Sequence, residues 1–477
     1  MINSHSGSST ENKAVVIGGS IAGLLAAQVL TKHFDHVTIV ERDRLSKEPE
    51  QRQGVPQAHH LHVLLTRGKQ ILEQLFPGIE AELTDSGAPA MDCVADCPWL
   101  GIGGWAPRFH SDLISPTCSR NLLESTIRRR LAANNRVAFM EAGQVTSLLS
   151  NADNTSITGV RVRLDKEAET DIFADLVVDA SGRNSRSPQW LQAMGYEPPQ
   201  ETIINSFLGY ASCWYELAPE KEIDWNAAYI TAQAPGTRGG VICKIEENRW
   251  ILTLIGVGRD YPSTDAAEFL NFARSLRSPI IYETIKNAKP LSPIYAYKRT
   301  ENCLRHYEQL SKLPEGLAVL GDAVCAFNPV YGQGMTTAAL GALTLDECLT
   351  KQLSQHPDGN LIGLSRRFQK QLHKVINVPW LITTGEDLRW STTEGAKPSL
   401  MNKIMQLYLE RVLMLQTTTP EIHQVFLEVM HMIKPPTALF HPTILMQVLK
   451  QVFNFQPSEQ QLNNLQNFPQ PLPAVAE

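Results

Sequence analysis

The sequence has little that would tie the protein to a membrane, a secretory route or a nucleic acid. Its 477 residues contain no run of about 18 apolar residues, and the N-terminus lacks a signal-peptide core. Lys and Arg number 43 against 49 Asp and Glu, and the one compact basic stretch is residues 128–130. We therefore expect a cytoplasmic protein with no transmembrane segment and no nucleic-acid partner.

Metal and disulfide patterns are missing as well. The eight cysteines are scattered, and only Cys93 and Cys97 are close, at a spacing that matches no metal or redox motif. His59, His60 and His62 are clustered, but spacings of one and two residues do not bring three imidazoles to one ion. The prediction is reduced thiols and no metal, with the histidines either lining a cofactor or substrate cavity or serving ordinary structural roles.

What the sequence does contain begins with a glycine turn between two apolar segments. Residues 14–17 predict a strand, residues 18–23 read Gly-Gly-Ser-Ile-Ala-Gly, and a helical pattern follows. A second apolar strand, residues 36–40, ends in Glu41. This order is typical of a βαβ dinucleotide site, with the pyrophosphate at the helix start and the acidic residue on a ribose. The predicted contacts are Gly18, Gly19, Ser20, Ala22, Gly23, Glu41 and Arg42.

The motif departs from G-x-G-x-x-G at its middle position, where Ser20 stands. Serine is small, so the backbone can still approach a phosphate, and its hydroxyl can donate to an oxygen. A purely structural strand, turn and helix would give the same string. Glu41 at the end of the second strand favours the cofactor interpretation.

A second glycine-rich segment lies about three hundred residues later. Residues 316–320 predict a strand that ends at Gly321-Asp322, and Gly334 opens a predicted helix. The string Gly-Asp-x9-Gly-x-Gly resembles the ribityl-binding motif of flavoprotein monooxygenases of the p-hydroxybenzoate hydroxylase class. The resemblance implies that the helix start stabilises negative charge on a flavin. The cofactor contacts that it implies are Asp322, Pro329, Gly332, Gln333, Gly334 and Met335.

Further strings match the same class in the expected order. Residues 175–185 resemble its middle motif, and Ser181 and Gly182 are the implied contacts, with Ser181 where hydroxylases usually carry aspartate. Arg120, at the start of an amphipathic helix, resembles an FAD-contacting position, and Val145 matches an adenine-contacting strand.

The most distinctive string is residues 52–62, Arg-Gln-Gly-Val-Pro-Gln-Ala-His-His-Leu-His. It resembles the corresponding run of bacterial polyether-pathway (polyene) epoxidases. On this resemblance Arg52 meets the pyrophosphate, while His60 and His62 act in the catalytic site. Tyr331, beside the second glycine segment, is a further catalytic candidate that faces substrate or only packs.

The predicted fold is α/β, with three parts. A Rossmann-like FAD-binding domain of the glutathione-reductase type, a mixed β-sheet substrate domain and a C-terminal helical region follow from the resemblance and the element pattern. The predicted FAD-binding domain comprises residues 13–75, 110–190 and 290–350, the substrate domain 76–109 and 191–289, the helical region 351–465, and flexible tails 1–12 and 466–477.

The implied function is that of an FAD-dependent monooxygenase of secondary metabolism. It would insert one oxygen atom from O2, through a flavin C4a-hydroperoxide, into a small apolar substrate. Alkene epoxidation is preferred because no general base is evident. Aromatic hydroxylation, a geranylgeranyl-reductase-like reaction and halogenation stay open, although the W-x-W-x-I-P string usual in halogenases is absent. With a single dinucleotide fingerprint, NAD(P)H serves as reductant directly or through a flavin reductase.

One segment raises the question of a membrane surface. Residues 438–453 are apolar and amphipathic. The expected role is a helix packed on the body of the protein, and the alternative is peripheral membrane contact.

Overall fold

The computed structural model describes residues 11–165, 168–218, 223–453 and 468–472. Most of the two predicted tails and residues 454–465 of the predicted helical region lie outside the described residues. The strands are β1 (Lys13–Ile17), β2 (His36–Val40), β3 (Ala90–Asp92), β4 (Trp99–Gly101), β5 (Gly104–Trp105), β6 (Ile114–Pro116), β7 (Val137–Met140), β8 (Gly143–Ser150), β9 (Ile157–Leu164), β10 (Glu169–Phe173), β11 (Leu176–Asp179), β12 (Glu201–Ile204), β13 (Gly209–Glu216), β14 (Ala227–Ile230), β15 (Arg238–Lys244), β16 (Arg249–Gly256), β17 (Lys289–Pro290), β18 (Tyr295–Tyr297), β19 (Asn302–Arg305), β20 (Leu317–Val319) and β21 (Cys325–Ala326). The helices are α1 (Ile21–Leu30), α2 (Thr66–Leu75), α3 (Ile79–Asp85), α4 (Arg120–Ala132), α5 (Ser187–Ala193), α6 (Ala266–Arg274), α7 (Ile280–Ile285), α8 (Gly334–Gln355), α9 (Leu364–Asp387), α10 (Leu400–Leu415), α11 (Pro420–Met430) and α12 (Pro442–Phe453).

A five-stranded parallel sheet organises the N-terminal half of the fold. Its order is β20-β11-β1-β2-β7. Strands β2 and β7 are added on one side of β1, and the later strands β11 and β20 are added on the other side. Strands β1 and β11 are apolar and buried because both faces of the sheet are covered, by helices such as α1 and by the antiparallel strands β8 and β9. The carboxyl ends of β1, β2, β11 and β20 meet at one edge, the usual ligand position in such sheets. The predicted α/β fold is confirmed.

The glycine turn after β1 leaves no room for larger residues. Gly18 has a φ of +100°, and a Cβ added there would lie 2.7 Å from the carbonyl oxygen of Ala180. A Cβ on Gly23 would lie 1.8 Å from the carbonyl oxygen of Gly18. The two glycines therefore allow α1 to start directly on the edge of the sheet.

A second, eight-stranded sheet places alternate side chains in different layers. Its order is β17-β13-β16-β15-β14-β4-β5, with β18 paired to β13. One face packs in a core with Phe269 of α6 and Ile281 of α7, and the other faces a large cavity. The core side carries Ala211, Cys213, Tyr215, Ala228, Ile230, Ile242, Leu252 and Leu254. The cavity side carries Tyr210, Ala227, Tyr229, Val241, Cys243, Thr253 and Ile255.

The C-terminal helices close the far side of that cavity. Helix α10 is held to the end of α9 by an ion pair of 2.7 Å between Arg389 and Glu410. Ile444 and Val448 of α12 are buried against the body, so one side of the predicted helix packs on the protein as expected. Within the described residues, no helix has the length and apolar character needed to cross a bilayer.

The close contact at Gly23 makes a stability prediction. Gly23→Ala should lower the free energy of unfolding by about 3 kcal/mol or more, because the methyl group meets a backbone oxygen that cannot move aside. Gly385→Ala, in α9, is the control: its Cβ would meet nothing within 4 Å and should add up to about 1 kcal/mol. Urea unfolding monitored by circular dichroism measures both. Equal midpoints for the two variants would contradict the packing argument.

Candidate active site

A single large cavity connects the parallel sheet to the C-terminal helices. It has a volume of about 1590 Å³. Pockets for one small ligand typically occupy roughly 300–1000 Å³. The cavity starts at the carboxyl edge of the parallel sheet, passes the cavity side of the eight-stranded sheet and ends among α9, α10 and α11. It has room for a dinucleotide and a second molecule together.

Most of the predicted site residues lie in the wall of this cavity. They are Gly18, Ser20, Ala22, Glu41, Arg42, His60, His62, Arg120, Val145, Ser181, Gly182, Asp322, Pro329, Tyr331, Gly332, Gly334 and Met335. Gly19, Gly23, Arg52 and Gln333 lie behind the wall instead. Gln333 is buried and accepts a hydrogen bond of 2.9 Å from Thr383, so its side chain supports the loop from outside.

The two glycine-rich segments are direct neighbours. A Cβ added to Gly321 would lie 2.8 Å from the Cβ of Ala22 in α1, and helix α8 packs along α1. Residues separated by about three hundred positions in the chain therefore form one wall, as the sequence predicted.

A buried charge cluster surrounds the start of α1. The Ser20 hydroxyl donates to Glu124 at 2.6 Å and accepts from Arg120 at 2.9 Å, and Arg52 forms an ion pair with Glu124. Arg52 also lies 3.3 Å from Glu41. Burial raises the pKa of Glu124, but Arg120 and Arg52 outweigh it and lower the pKa below its usual range. Sequence reasoning missed Glu124, although Arg120 and Glu124 have helical i,i+4 spacing.

Glu41 is held ready at the end of β2. Its Oε2 atom accepts from the Gly19 amide at 2.7 Å, and its Oε1 atom accepts from the Asp43 amide at 2.9 Å. An ionised carboxylate can accept about four hydrogen bonds, so capacity remains for a ligand hydroxyl.

The middle motif is built around a fully buried carboxylate. Asp179, at the end of β11, accepts from the Ser181 amide and hydroxyl at 2.9 and 2.6 Å. It also accepts from the hydroxyls of Ser185 and Ser187, each at 2.5 Å. The Ser181 hydroxyl is thus turned to Asp179, while the adjacent Gly182, with a φ of +82°, leaves open space beside the cavity.

Asp322 presents a carboxylate to the cavity. Among the described residues none donates a hydrogen bond to this side chain, and burial raises its pKa against the opposing charge of Arg183. Gly334 starts α8 nearby, and a Cβ there would meet nothing within 4 Å. A carboxylate without a protein donor and an open helix start match the ribityl hydroxyls and ring of a flavin. The residues present therefore fit FAD.

The histidines line the cavity as neutral groups. His60 contacts Ser212 at 2.8 Å, and burial, aided by His62 and His59, lowers the pKa of His60 to about 3. Burial and the charge of Arg120 lower the pKa of His62 to about 4. Within the described ranges no group of three His, Cys, Asp or Glu side chains is placed to hold a metal ion.

Tyr331 is paired with a buried carboxylate that sequence reasoning missed. Its hydroxyl donates to Asp387, at the end of α9, at 2.8 Å. Asn302 and Asn328 donate to the same carboxylate at 2.6 and 3.0 Å. Burial raises the pKa of Asp387 to about 6, with the hydrogen bonds opposing that rise. The carboxylate is therefore ionised at neutral pH and can accept a proton through Tyr331. No sequence motif indicates this role of Asp387, because the role depends on the packing of α9 against the Asn328 loop.

The far end of the cavity is apolar. Trp99 packs edge-on against Tyr229 and Phe426, with ring centroids 5.0 and 5.8 Å apart. Arg389 at this end is paired with two carboxylates that also line the cavity, Glu386 at 2.8 Å and Glu410. The chamber suits an apolar ligand better than an anion.

Comparison with known proteins agrees with this geometry. A family model described as FAD binding domain matches residues 11–372. The chain belongs to this FAD-binding family. Protein Rv3254 of Mycobacterium tuberculosis is 32% identical over 388 residues, which cover 79% of this chain and 80% of that protein. A kynurenine 3-monooxygenase of Salinispora arenicola is 25% identical over 387 residues, with coverage of 79% and 80%.

The protein is thus an enzyme of the FAD-dependent monooxygenase class, as predicted. The flavin-dependent brominase Bmp2 has the same fold, with a TM-score of 0.66 over 94% of this chain and 100% of that chain. At 15% identity this likeness concerns the fold alone. The finer resemblance to polyene epoxidases stays a prediction.

The raised pKa of Asp387 predicts a pH dependence of stability. The folded chain binds a proton at Asp387 between about pH 4 and pH 6 where the unfolded chain, with a pKa of about 4, does not. This contribution is present below about pH 4 and is lost as the pH rises through about 6. Wild type should lose about 2 to 3 kcal/mol more than Asp387→Asn between pH 4 and pH 7 in urea titrations. Parallel curves for the two proteins would contradict it.

Proposed function

We propose that FAD lies along the cavity from the end of β2 to the start of α8. Glu41 accepts from the adenosine ribose, and Val145 lies beside the adenine. The start of α1 and Arg120 hold the pyrophosphate, with Arg52 and Glu124 fixing the position of Arg120. Asp322 accepts from the ribityl chain. The backbone of residues 332–335 would hold the pyrimidine part of the ring, and Pro329 would line the side at which O2 reacts.

The bound cofactor supplies electron transfer and activation of O2. The chain binds and orients it, keeps water away and provides donors. The neutral rings of His60 and His62 carry a proton on one nitrogen each, which orients substrate without adding charge. NAD(P)H is the proposed reductant, used directly or through a flavin reductase. Because residues 18–23 form the single dinucleotide fingerprint in the sequence, we assign no separate nicotinamide fold.

The apolar chamber carries the proposal for the substrate. Tyr229, Trp99 and Phe426 line it, and the guanidinium group of Arg389 is already paired with carboxylates. We infer a small apolar alkene, converted to an epoxide while O2, NAD(P)H and a proton yield NAD(P)⁺ and water. An alkene needs no proton removed, so this reaction asks only for positioning and exclusion of water.

A second reaction is favoured by the Tyr331–Asp387 pair. Hydroxylation of a phenol is helped by a base that takes the phenolic proton, and the pair offers a route from the cavity to a buried carboxylate. One relative is, by name, a kynurenine 3-monooxygenase. Halogenation rests on fold likeness alone, and the sequence lacks the W-x-W-x-I-P string.

The cofactor position is tested at Asp322. Asp322→Ala should raise the dissociation constant for FAD by about 10- to 100-fold, the effect of one lost hydrogen bond to a charged acceptor. The apoprotein should be as stable as wild type, since a buried carboxylate without a donor is removed. Asp346→Ala is the control, because Asp346 pairs with Lys32 at 2.6 Å outside the cavity. Fluorescence titration of the apoproteins with FAD measures the constants. Equal affinities for all three proteins would contradict the assignment.

The reaction is tested with isotopic oxygen. FAD-loaded protein given ¹⁸O₂, NADPH, a flavin reductase and a panel of apolar alkenes and phenols should yield a product carrying one ¹⁸O atom. Mass spectrometry identifies an epoxide or a phenol. Reduction of the substrate without label would instead support a reductase.

The role of Tyr331 separates the two oxygenations. Tyr331→Phe should lower kcat by about 10²-fold or more for a phenol, because the proton route is broken, and should leave alkene epoxidation nearly unchanged. An unchanged phenol rate would remove the proposed proton route.

A further inference from the structure

We propose that the outer face of α9, α10 and α12 docks on an anionic phospholipid surface. The exposed apolar and basic side chains of these helices together form this docking face. The apolar members are Val378, Leu381, Leu400, Met401, Ile404, Leu407, Leu445, Met446, Leu449 and Val452.

The apolar residues form stripes rather than scattered positions. On α10, Leu400, Ile404 and Leu407 have helical spacing and are 75%, 53% and 63% exposed. The inner side of the same helix lines the cavity with Met405, Leu409 and Leu413, and Val412 is buried. Between the two sides, Tyr408 packs on Phe440, with ring centroids 4.8 Å apart. Helix α10 is therefore apolar on both its inner and its outer side. An apolar outer stripe of this size is unusual on a soluble surface and marks an interaction site.

The exposed charges of these helices that have no ion-pair partner in the described part of the chain are all positive. Lys374, Lys403, Arg411 and Lys450 are exposed on the three helices. The acidic residues of these helices are occupied: Glu386 and Glu410 pair with Arg389, and Asp387 is buried. The whole chain carries a net charge of −6, so this cationic face runs against the overall balance. Lysine and arginine beside exposed leucine and isoleucine are typical of helices that lie in the interface of an anionic bilayer.

The charge also argues against a second copy as the occupant. In a two-fold dimer each docking face would meet the other, and the lysines would face lysines without acidic partners. An anionic lipid surface satisfies the apolar stripe and the cations together.

The cavity opens on the docking face. Val378, Leu381 and Met401 are exposed and also line the cavity. A docked protein would therefore present the cavity mouth to the hydrocarbon layer, where apolar molecules concentrate. This delivery route rests on the proposed function, whereas the docking itself does not.

Vesicle co-sedimentation of the full-length, FAD-loaded protein tests the docking without substrate or reductant. Vesicles of equal parts phosphatidylcholine and phosphatidylglycerol should retain the protein, and phosphatidylcholine vesicles should retain much less. Retention should fall as salt is raised, because exposed charges are screened. Equal retention on both vesicles, or none on either, overturns the proposal. A failure here leaves product formation in detergent-dispersed substrate untouched, so the two proposals fail separately.

Matched variants locate the contact. Ile404→Gln with Leu407→Gln should lower the partition coefficient by at least about tenfold, and Lys403→Glu by roughly tenfold. None of these side chains lines the cavity, so bound FAD and the melting temperature should match wild type. The control pairs Phe173→Gln with Ile362→Gln, at side chains 66% and 69% exposed on other surfaces. A loss of retention in the control as large as in the test variants overturns the proposal. So does a light-scattering mass that shows a wild-type dimer lost in Ile404→Gln with Leu407→Gln.

Discussion

The fold depends on how one buried carboxylate, Glu124, organises the space around the start of α1. Two arginines and a serine hydroxyl converge on it, and each comes from a different part of the chain. Breaking a buried ion pair by removing one partner leaves an uncompensated charge. Loss of any one of these groups should therefore destabilise the arrangement of the others. The helix start is thereby left with cations close by and its amides directed at the cavity. An anion-binding site results from interactions that lie entirely within the protein.

The sequence predicted the parts of this structure that depend on local chemistry. Three such features need particular residue types in a short stretch and can therefore be recognised from the sequence. They are the turn at Gly18, the acidic end of β2 and the Gly-Asp segment before α8. The element pattern likewise predicted a mixed β-sheet, and β13 and β16 are paired in it. The boundaries of the predicted FAD-binding domain, substrate domain and helical region stay a prediction.

The parts that could not be predicted depend on distant packing. Asp387 can accept a hydrogen bond from Tyr331 only because the end of α9 packs beside that residue. The two residues are separated by more than fifty positions in the sequence. The serine at position 181 was read as a cofactor contact, yet its hydroxyl is directed to Asp179. Aromatic side chains in strands are generally expected to pack in a core. Trp214, Tyr215 and Trp250 fit that expectation, whereas Tyr210 and Tyr229 line the cavity. Tyr210 and Tyr229 have the strand parity that faces the cavity, but Trp214 shares the parity of Tyr210 and packs against the C-terminal helices, so parity alone does not decide the outcome.

That parity has an evolutionary consequence. Along β14, β15 and β16, consecutive residues belong alternately to the wall of the ligand chamber and to the core beneath the sheet. A substitution at position 227, 241 or 255 can reshape the chamber while positions 228, 242 and 254 continue to hold the layers together. Alternate positions of the same strands therefore serve ligand selectivity and packing of the fold. Descendants of this chain can acquire new substrates by single replacements on the cavity side without first gaining extra stability.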